Sequence, residues 1–213
     1  MSKIKQSLEN LTLFNEIRSD VRGFHSHVSI LKDLSDSIDK DTITYLEIGC
    51  FAGATACLML QDDRVEVVSV DLGYPVSEEE VQLNIKTKSS NSKFTYIKGN
   101  SRNEDTISKV FDELGEKKVD ILFIDGDHSR QAVFDDFNNY SPLVADGGYI
   151  VFDDYLDFQH SPDVYKAVND LTDSLKGFDV IGSLDNIHGA NPDGSDFRDR
   201  FSKLNEFIIR KHG

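Results

Sequence analysis

Five carboxylates in this chain share a position that lends itself to chemistry: each stands at or just past the end of a short apolar run. Glu47 and Ile48 close the first run, Asp71 the second, Asp125 follows a nearly continuous apolar stretch, and Asp153 and Asp154 follow Tyr149-Ile150-Val151-Phe152. Such runs read as strands of a parallel sheet buried on both faces. Ligands of open α/β sheets bind outside the carboxyl ends of the strands, so the five acids describe one candidate rim. Taken singly, Asp71 or Asp125 would serve equally well as a helix cap. The grouping is what points to a site.

The elements that must position these acids begin at Thr44-Tyr45-Leu46-Glu47-Ile48-Gly49-Cys50-Phe51-Ala52-Gly53-Ala54-Thr55. This stretch reads as a strand that ends in a glycine turn and opens onto a small-residue helix, where backbone N–H groups face a bound cofactor. Gly49 and Gly53 allow the sharp turn and a close approach of ligand to backbone. Asp71 follows at about the separation where an acid on the next parallel strand meets a cofactor ribose. Further strands are expected at 64–71, 94–98, 119–124, 149–152, 178–181 and 206–210, seven in all with the first.

Helices fall between them. Ser77 and Glu80 form a capping box, Gly115 ends the helix carrying Ile107, Val110, Phe111 and Leu114, and Pro142 ends or bends the helix carrying Val133, Phe137 and Tyr140. Ser161-Pro162 starts another. Residues 1 to 40 form a helical lead-in over one edge or mouth of the core, with Phe24, Val28, Leu31, Leu34 and Ile38 at helical spacing. Residues 41–213 form the α/β domain, and at 213 residues the chain makes a single domain overall. His25 and His27 in the lead-in read as ordinary surface or core residues. The long Gly/Asn/Asp/Ser-rich stretch before the last strand is of a length usually reserved for function or disorder, and its His188 is a candidate lid residue.

Thirty-eight acidic and twenty-three basic side chains leave a formal charge of −15. That balance repels phosphate backbones, so a nucleic-acid partner is not expected. The two cysteines, Cys50 and Cys57, make neither a disulfide framework nor a zinc cage, and are expected to pack as small apolar residues. A polar N-terminus and the lack of a long apolar window lead us to expect no membrane segment and a reducing cytoplasm.

Tyr45-Leu46-Glu47-Ile48-Gly49 through Gly53, Val70-Asp71, Phe123-Ile124-Asp125-Gly126-Asp127-His128 and Gly147-Gly148-Tyr149-Ile150-Val151-Phe152-Asp153-Asp154-Tyr155 together carry a resemblance. Over about residues 43 to 155 the chain resembles class I S-adenosylmethionine-dependent methyltransferases. Within them it is similar to the small metal-dependent O-methyltransferases of the macrocin O-methyltransferase-like and cephalosporin-hydroxylase-like branch. The resemblance implies a Rossmann-like, doubly wound, mostly parallel sheet of seven strands with the last antiparallel. It also implies that Glu47, Gly49 and Gly53 line the methionine end of the cofactor, Asp71 accepts from the ribose hydroxyls, Asn100 and Ser101 flank the adenine, and Asp125 borders both cofactor and metal. Phe51 departs from the pattern, standing where many relatives have the middle glycine. A side chain there disfavours a pyrophosphate more than a sulfonium cofactor.

Asp125, Asp153 and Asp154 match the positions from which metal-dependent relatives hold a divalent ion. Three carboxylates make a hard-oxygen site suited to Mg²⁺, with Mn²⁺ or Ca²⁺ as alternatives. Methyl transfer to a hydroxyl needs the oxygen ionised and aimed, which a chelating ion achieves. Asp127 and His128, beside Asp125, are candidates to take the hydroxyl proton, and His128 reads equally as a helix cap or a packing residue. Tyr155, Phe158 and His160 are candidate substrate contacts. The expected protein is a methyltransferase acting on a hydroxyl of a sugar, a glycosylated natural product or a diol, with the lead-in helices able to pair two copies. Two alternatives stay open: a nicotinamide-dependent oxidoreductase on the same sheet, and a cofactor-binding regulatory protein without catalysis.

Overall fold

Alternating apolar runs and amphipathic stretches produce alternating strands and helices in the computed structural model, which describes residues 26–158, 160–183 and 206–213. The strands are β1 (Ile43–Ile48), β2 (Val65–Asp71), β3 (Phe94–Lys98), β4 (Val119–Ile124), β5 (Val144–Phe152), β6 (Phe178–Ser183) and β7 (Phe207–Lys211). They form one sheet in the order β3-β2-β1-β4-β5-β7-β6. Strands β1 to β5 pair in parallel, and β7 runs antiparallel to both β5 and β6. The expected seven strands and single reversed last strand are therefore present. The order reverses between β1 and β4, the crevice where such sheets bind ligands.

Helices α1 (Ser26–Ser37), α2 (Ala54–Met59) and α3 (Glu78–Lys88) cover one face, and α4 (Glu104–Leu114), α5 (Arg130–Tyr140) and α6 (Pro162–Ser174) the other. Side-chain alternation along the strands feeds two cores. Tyr45, Val67, Ile121, Phe123 and Val151 meet the first helix layer, while Leu46, Val68, Val70, Leu122, Ile150 and Phe152 meet the second. Each side chain buried this way contributes about 1.5–3 kcal/mol relative to exposure. Both faces being covered explains why β1 and β4 are buried at every position.

The capping box at Ser77 and Glu80 forms as expected. Pro142 lies in a 3-10 turn, Ser141–Leu143, directly after α5. Ser161 stands at the N-cap of α6 but gives that helix no side-chain bond. Its hydroxyl is used elsewhere. β5 begins five residues earlier than the apolar run suggests, because Asp146, Gly147 and Gly148 are taken into the strand through a register shift opposite Val119 and Ile121.

The described part of the lead-in packs Ile30 and Leu31 on a sheet face rather than over the mouth, and Lys40 holds Asp120 at the start of β4, the end opposite the acids. Residues 1–25, including His25, and residues 184–205, including His188, lie outside the described residues. Among the described residues no helix is long and apolar enough to cross a membrane.

Candidate active site

Strand register sets the rim. Ile48 stands opposite both Val70 and Ile124, and Ile124 opposite Phe152. The next residue on each strand is therefore at one level: Gly49, Asp71, Asp125 and Asp153. Backbone bonds carry the ladder through this level, from Gly49 N to Val70 O, Asp125 N to Ile48 O and Asp153 N to Ile124 O, at 2.8, 2.8 and 3.1 Å. Above the rim lies a cavity of about 740 Å³, lined by the glycine turn, Val70, Asp71, Leu72, Tyr74, Gly99 to Arg102, Asp125 to His128, Asp153, Asp154, Asp157, His160 and Ser161. That volume is typical of ligand pockets.

Asp71 organises the turn. Its Oδ2 accepts the backbone N–H groups of Cys50 and Phe51, both at 2.9 Å, and its Oδ1 accepts that of Gly73 at 2.7 Å. The turn is tight: Gly49 has φ +93°, Phe51 φ +48° and Gly53 φ +79°. A Cβ at Gly49 would run into the backbone carbonyl of Asp125, so only glycine lets β1 and β4 approach here.

Glu47 does not reach the cavity wall. Its position pairs with Ser69 across β1 and β2, and its side chain turns into the core, where it is fully buried. Ser69 donates to it at 2.6 Å and Tyr45 at 3.0 Å, with the Cys50 thiol as a further donor. Burial outweighs these bonds and pushes the carboxyl up to about 7. Cys50 accordingly packs against a carboxyl group, while Cys57 is an ordinary core residue.

The second cluster joins β4, β5 and the loop before α6. Ligand atoms of Asp125, His128 and Asp154 all lie within 4.8 Å of one another. His128 Nε2 is 3.6 Å from Asp125 Oδ1, and Nδ1 is 3.3 Å from Asp154 Oδ2 and 2.8 Å from the Ser161 hydroxyl. Ser161 also donates to Asp154 Oδ2 at 2.9 Å. Burial pushes Asp125 up to about 6, against the hydrogen bond from His128 and with the charge of Asp154. Asp153 is raised by burial, then by Asp125, Glu206 and Asp154. The hydrogen bond to Asp125 raises His128 despite partial burial. Carboxylates crowded this way cannot all ionise without a cation or protons among them.

Asp153 lines the cavity beside this group, and its Oδ1 accepts the Asp154 backbone N–H at 2.8 Å. Among the described residues, the mutually close donor set is Asp125, His128 and Asp154, so His128 joins two of the three aspartates expected from sequence. Two carboxylates and an imidazole fit a divalent ion, and the imidazole widens the choice from Mg²⁺ toward Mn²⁺ and other first-row metals.

The other end of the cavity is the loop after β3. Asn100 Oδ1 accepts the Arg102 backbone N–H at 3.0 Å, and the Ser101 carbonyl accepts the Tyr140 hydroxyl at 2.7 Å. Arg102 reaches across to Asp127 at 3.1 Å. Asp127 also accepts the Ser129 backbone N–H, which holds its carboxyl below the usual range.

The structure therefore brings Gly49, Asp71, Asn100, Ser101, Asp125, Asp127, His128, Asp153 and Asp154 to one cavity, with Glu47 beneath it and Gly53 at the start of α2. Tyr155 is a correction: it is buried against Phe207 and Tyr165, with its hydroxyl on Asn169. Phe158 packs on Tyr165, outside the cavity lining, whereas His160 lines the mouth and pairs with Asp157. Sequence reasoning missed Ser161, read only as a cap, and Asp157. It also missed Asp136, although an acid beside Val133, Phe137 and Tyr140 on an apolar helix face was a legible signal.

Comparison with known proteins agrees with this layout. A family model described as a methyltransferase domain matches residues 46–155. An uncharacterised protein, R132 of Acanthamoeba polyphaga mimivirus, is 40% identical over 178 residues, covering 79% of this chain and 80% of that protein. Among solved structures, the O-methyltransferase TomG of Streptomyces achromogenes, in complex with S-adenosylmethionine, is similar with a TM-score of 0.66 at 14% identity, over 100% of this chain and 91% of that one. The methyltransferase PaMTH1 of Podospora anserina, bound to S-adenosylhomocysteine, has a TM-score of 0.64 at 15% identity, over 96% and 88% of the two chains. With more than half of its length matched and its switch-point crevice lined by the glycine turn and the strand-end acids, the chain belongs to the methyltransferase-domain family.

Proposed function

We propose that the chain transfers a methyl group from S-adenosylmethionine to a hydroxyl of a small molecule, with a divalent cation held by Asp125, His128 and Asp154. The observation that carries this reading is the shared level of Gly49, Asp71, Asp125 and Asp153 along the rim of one cavity. Asp71 would hold the ribose. The reacting end then lies toward Asp125 and Asp154, and the purine toward Asn100 and Ser101.

A bound cation would supply charge that lowers the pKa of an acceptor hydroxyl and fixes its direction. The chain's own groups do the rest. Ser161 has one proton; with that proton on Asp154, its oxygen accepts from His128 Nδ1, and Nε2 faces Asp125, to which it donates while protonated and beside which it presents a lone pair once that proton is given up. That nitrogen can ligate or accept a proton. Leu72 and Tyr74, largely exposed and next to Asp71, are apolar walls against which the nucleoside can pack.

A nicotinamide dinucleotide fits less well. The Cys50 and Phe51 amides that would cradle a pyrophosphate are already bonded to Asp71, and six aspartates line the cavity.

The test is methyl release from labelled S-adenosylmethionine against a panel of sugars and diols, with Mg²⁺ or Mn²⁺ and with chelator. The expected result is turnover that chelator suppresses and that Asp154→Ala lowers by about 10- to 100-fold. Turnover indifferent to both would remove the cation from the reading, and oxidation of an alcohol with nicotinamide would replace it.

A further inference from the structure

Four aromatic rings form a row beside the Asp125, His128 and Asp154 end of the cavity, and the proposed chemistry uses none of them. Phe207 of β7 packs on Tyr155 with ring centroids 4.6 Å apart, Tyr155 on Tyr165 at 4.9 Å, and Tyr165 on Phe158 at 5.1 Å. The row starts in the core, where Phe207 and Tyr155 are each 7% exposed, and ends in solvent, where Tyr165 is 38% and Phe158 57% exposed. Its middle is fixed: the Tyr155 hydroxyl donates to Asn169 Oδ1 at 3.3 Å, and the Asn169 amide donates to the Tyr165 carbonyl at 2.7 Å. Single exposed apolar residues are ordinary, but two adjoining rings held by a buried pair make a rigid surface patch.

That patch is continuous with the cavity. Backbone bonds from Asp157 N to Asp154 O and from Ser161 N to Asp157 O, at 3.1 and 2.9 Å, fold residues 154–161 into two successive turns. Asp154, Asp157, His160 and Ser161 of these turns line the cavity. Phe158 follows Asp157 directly, so its Cα lies about 3.8 Å from that of a lining residue. Tyr165 belongs to the first turn of α6, whose N-cap is Ser161. The two sides of this lip differ in chemistry. Inside it stand carboxylates and an imidazole, which suit a hydroxyl-bearing group; outside it stand flat apolar faces.

We propose that Phe158 and Tyr165 are an outer acceptor subsite, on which a flat apolar ring stacks while the hydroxylated part of the same molecule reaches Asp125, His128 and Asp154. The acceptor is then a two-part molecule of the aryl glycoside class, not a free sugar or an aliphatic diol. The inference rests on the hydroxyl-methylation reading above, which puts the acceptor at this end of the cavity. The Phe158 side chain has no polar atom, so it recognises a ring only by offset or tilted packing against its face.

The test is NMR titration of the full chain, saturated with S-adenosylhomocysteine and Mg²⁺, with matched pairs of probes: the methyl and phenyl β-glucosides, β-galactosides and α-mannosides. In at least one pair the phenyl member is expected to bind about 10-fold tighter. Phe158→Ala is expected to cut that ratio to about 2-fold or less, and Phe158→Tyr, which keeps a flat face, to retain it. Tyr165→Ala is expected to act as Phe158→Ala does, and Phe158→Ala, at an exposed loop position, decides the matter should the helix variant fail to fold. Equal affinity within every pair, or a ratio that the folded Phe158→Ala chain retains, overturns the inference. So does a shift from dimer to monomer in sedimentation of Phe158→Ala, which would assign the rings to contact between copies. Failure of wild type to bind S-adenosylhomocysteine would overturn the cofactor reading, and the inference with it.

Discussion

Replacing Asp71 by Ala tests whether one carboxylate both shapes the glycine turn and holds the cofactor. The substitution removes three backbone partners at once: Cys50 N, Phe51 N and Gly73 N, at 2.9, 2.9 and 2.7 Å. Hydrogen bonds to a charged group contribute about 1.5–3 kcal/mol each in protected surroundings. Phe51 is exposed and Gly73 half-buried, so water can replace the carboxylate at those two. Cys50 is 7% exposed, and its amide bears most of the cost. The sum comes to about 3 kcal/mol, which in a chain of this size lowers Tm by about 6–12 °C. Asp71→Asn keeps one acceptor oxygen and should fall about halfway. Thermal unfolding followed by circular dichroism reads the stability, and titration with S-adenosylhomocysteine reads the site. An Asp71→Ala protein melting within about 2 °C of wild type would refute the reasoning, because the turn would then hold its shape without this carboxylate.

Glu47 gives a pH-dependent prediction. Its carboxyl is raised from 4.5 to about 7 in the folded chain, so the stability it contributes in protonated form is full below about 4.5 and lost as the pH rises through about 7. That loss is roughly 3 kcal/mol for this group. Urea unfolding at pH 4.5 and pH 8 should show Glu47→Gln with a flatter pH dependence than wild type, and an unchanged difference would contradict the assignment. Glycine substitutions separate conformation from crowding. Gly49→Ala combines φ +93° with collision against the Asp125 carbonyl and should cost on the order of 4 kcal/mol, giving little folded protein. Gly177→Ala shares a positive φ, +81°, but meets nothing within 4 Å, so it should cost only about 1–2 kcal/mol. Equal behaviour of the two in soluble yield and Tm would sink the crowding argument.

Most of the fold was legible because its signals are local and periodic. Both-faces-buried strands such as Val119–Ile124 leave an uninterrupted apolar run, and Ser77 with Glu80 announces a helix start. The rim was legible for a related reason: in a parallel sheet, residues ending successive strands come to one level, so the acids could be counted before their distances were known. Side-chain direction was less accessible. Glu47 sits two residues before Gly49, yet its pairing with Ser69 sends it into the core instead of the cavity. The contact of His128 with Asp154 and Ser161 depends on where two loops cross, which no spacing within one segment encodes. Tyr155 follows the acids in sequence, but its ring finds Phe207 on β7, a partner more than fifty residues away.

Methyl transfer by this chain requires that the cavity accept a sulfonium nucleoside at the rim formed by Gly49, Asp71 and Asp125. Isothermal titration of the folded chain with S-adenosylhomocysteine, with NADH as the comparison, tests it most directly. Saturable one-to-one heat with S-adenosylhomocysteine, weakened in Asp71→Ala and absent with NADH, is the predicted result. No heat from S-adenosylhomocysteine with a chain that circular dichroism finds folded, or tighter binding of NADH, would contradict it.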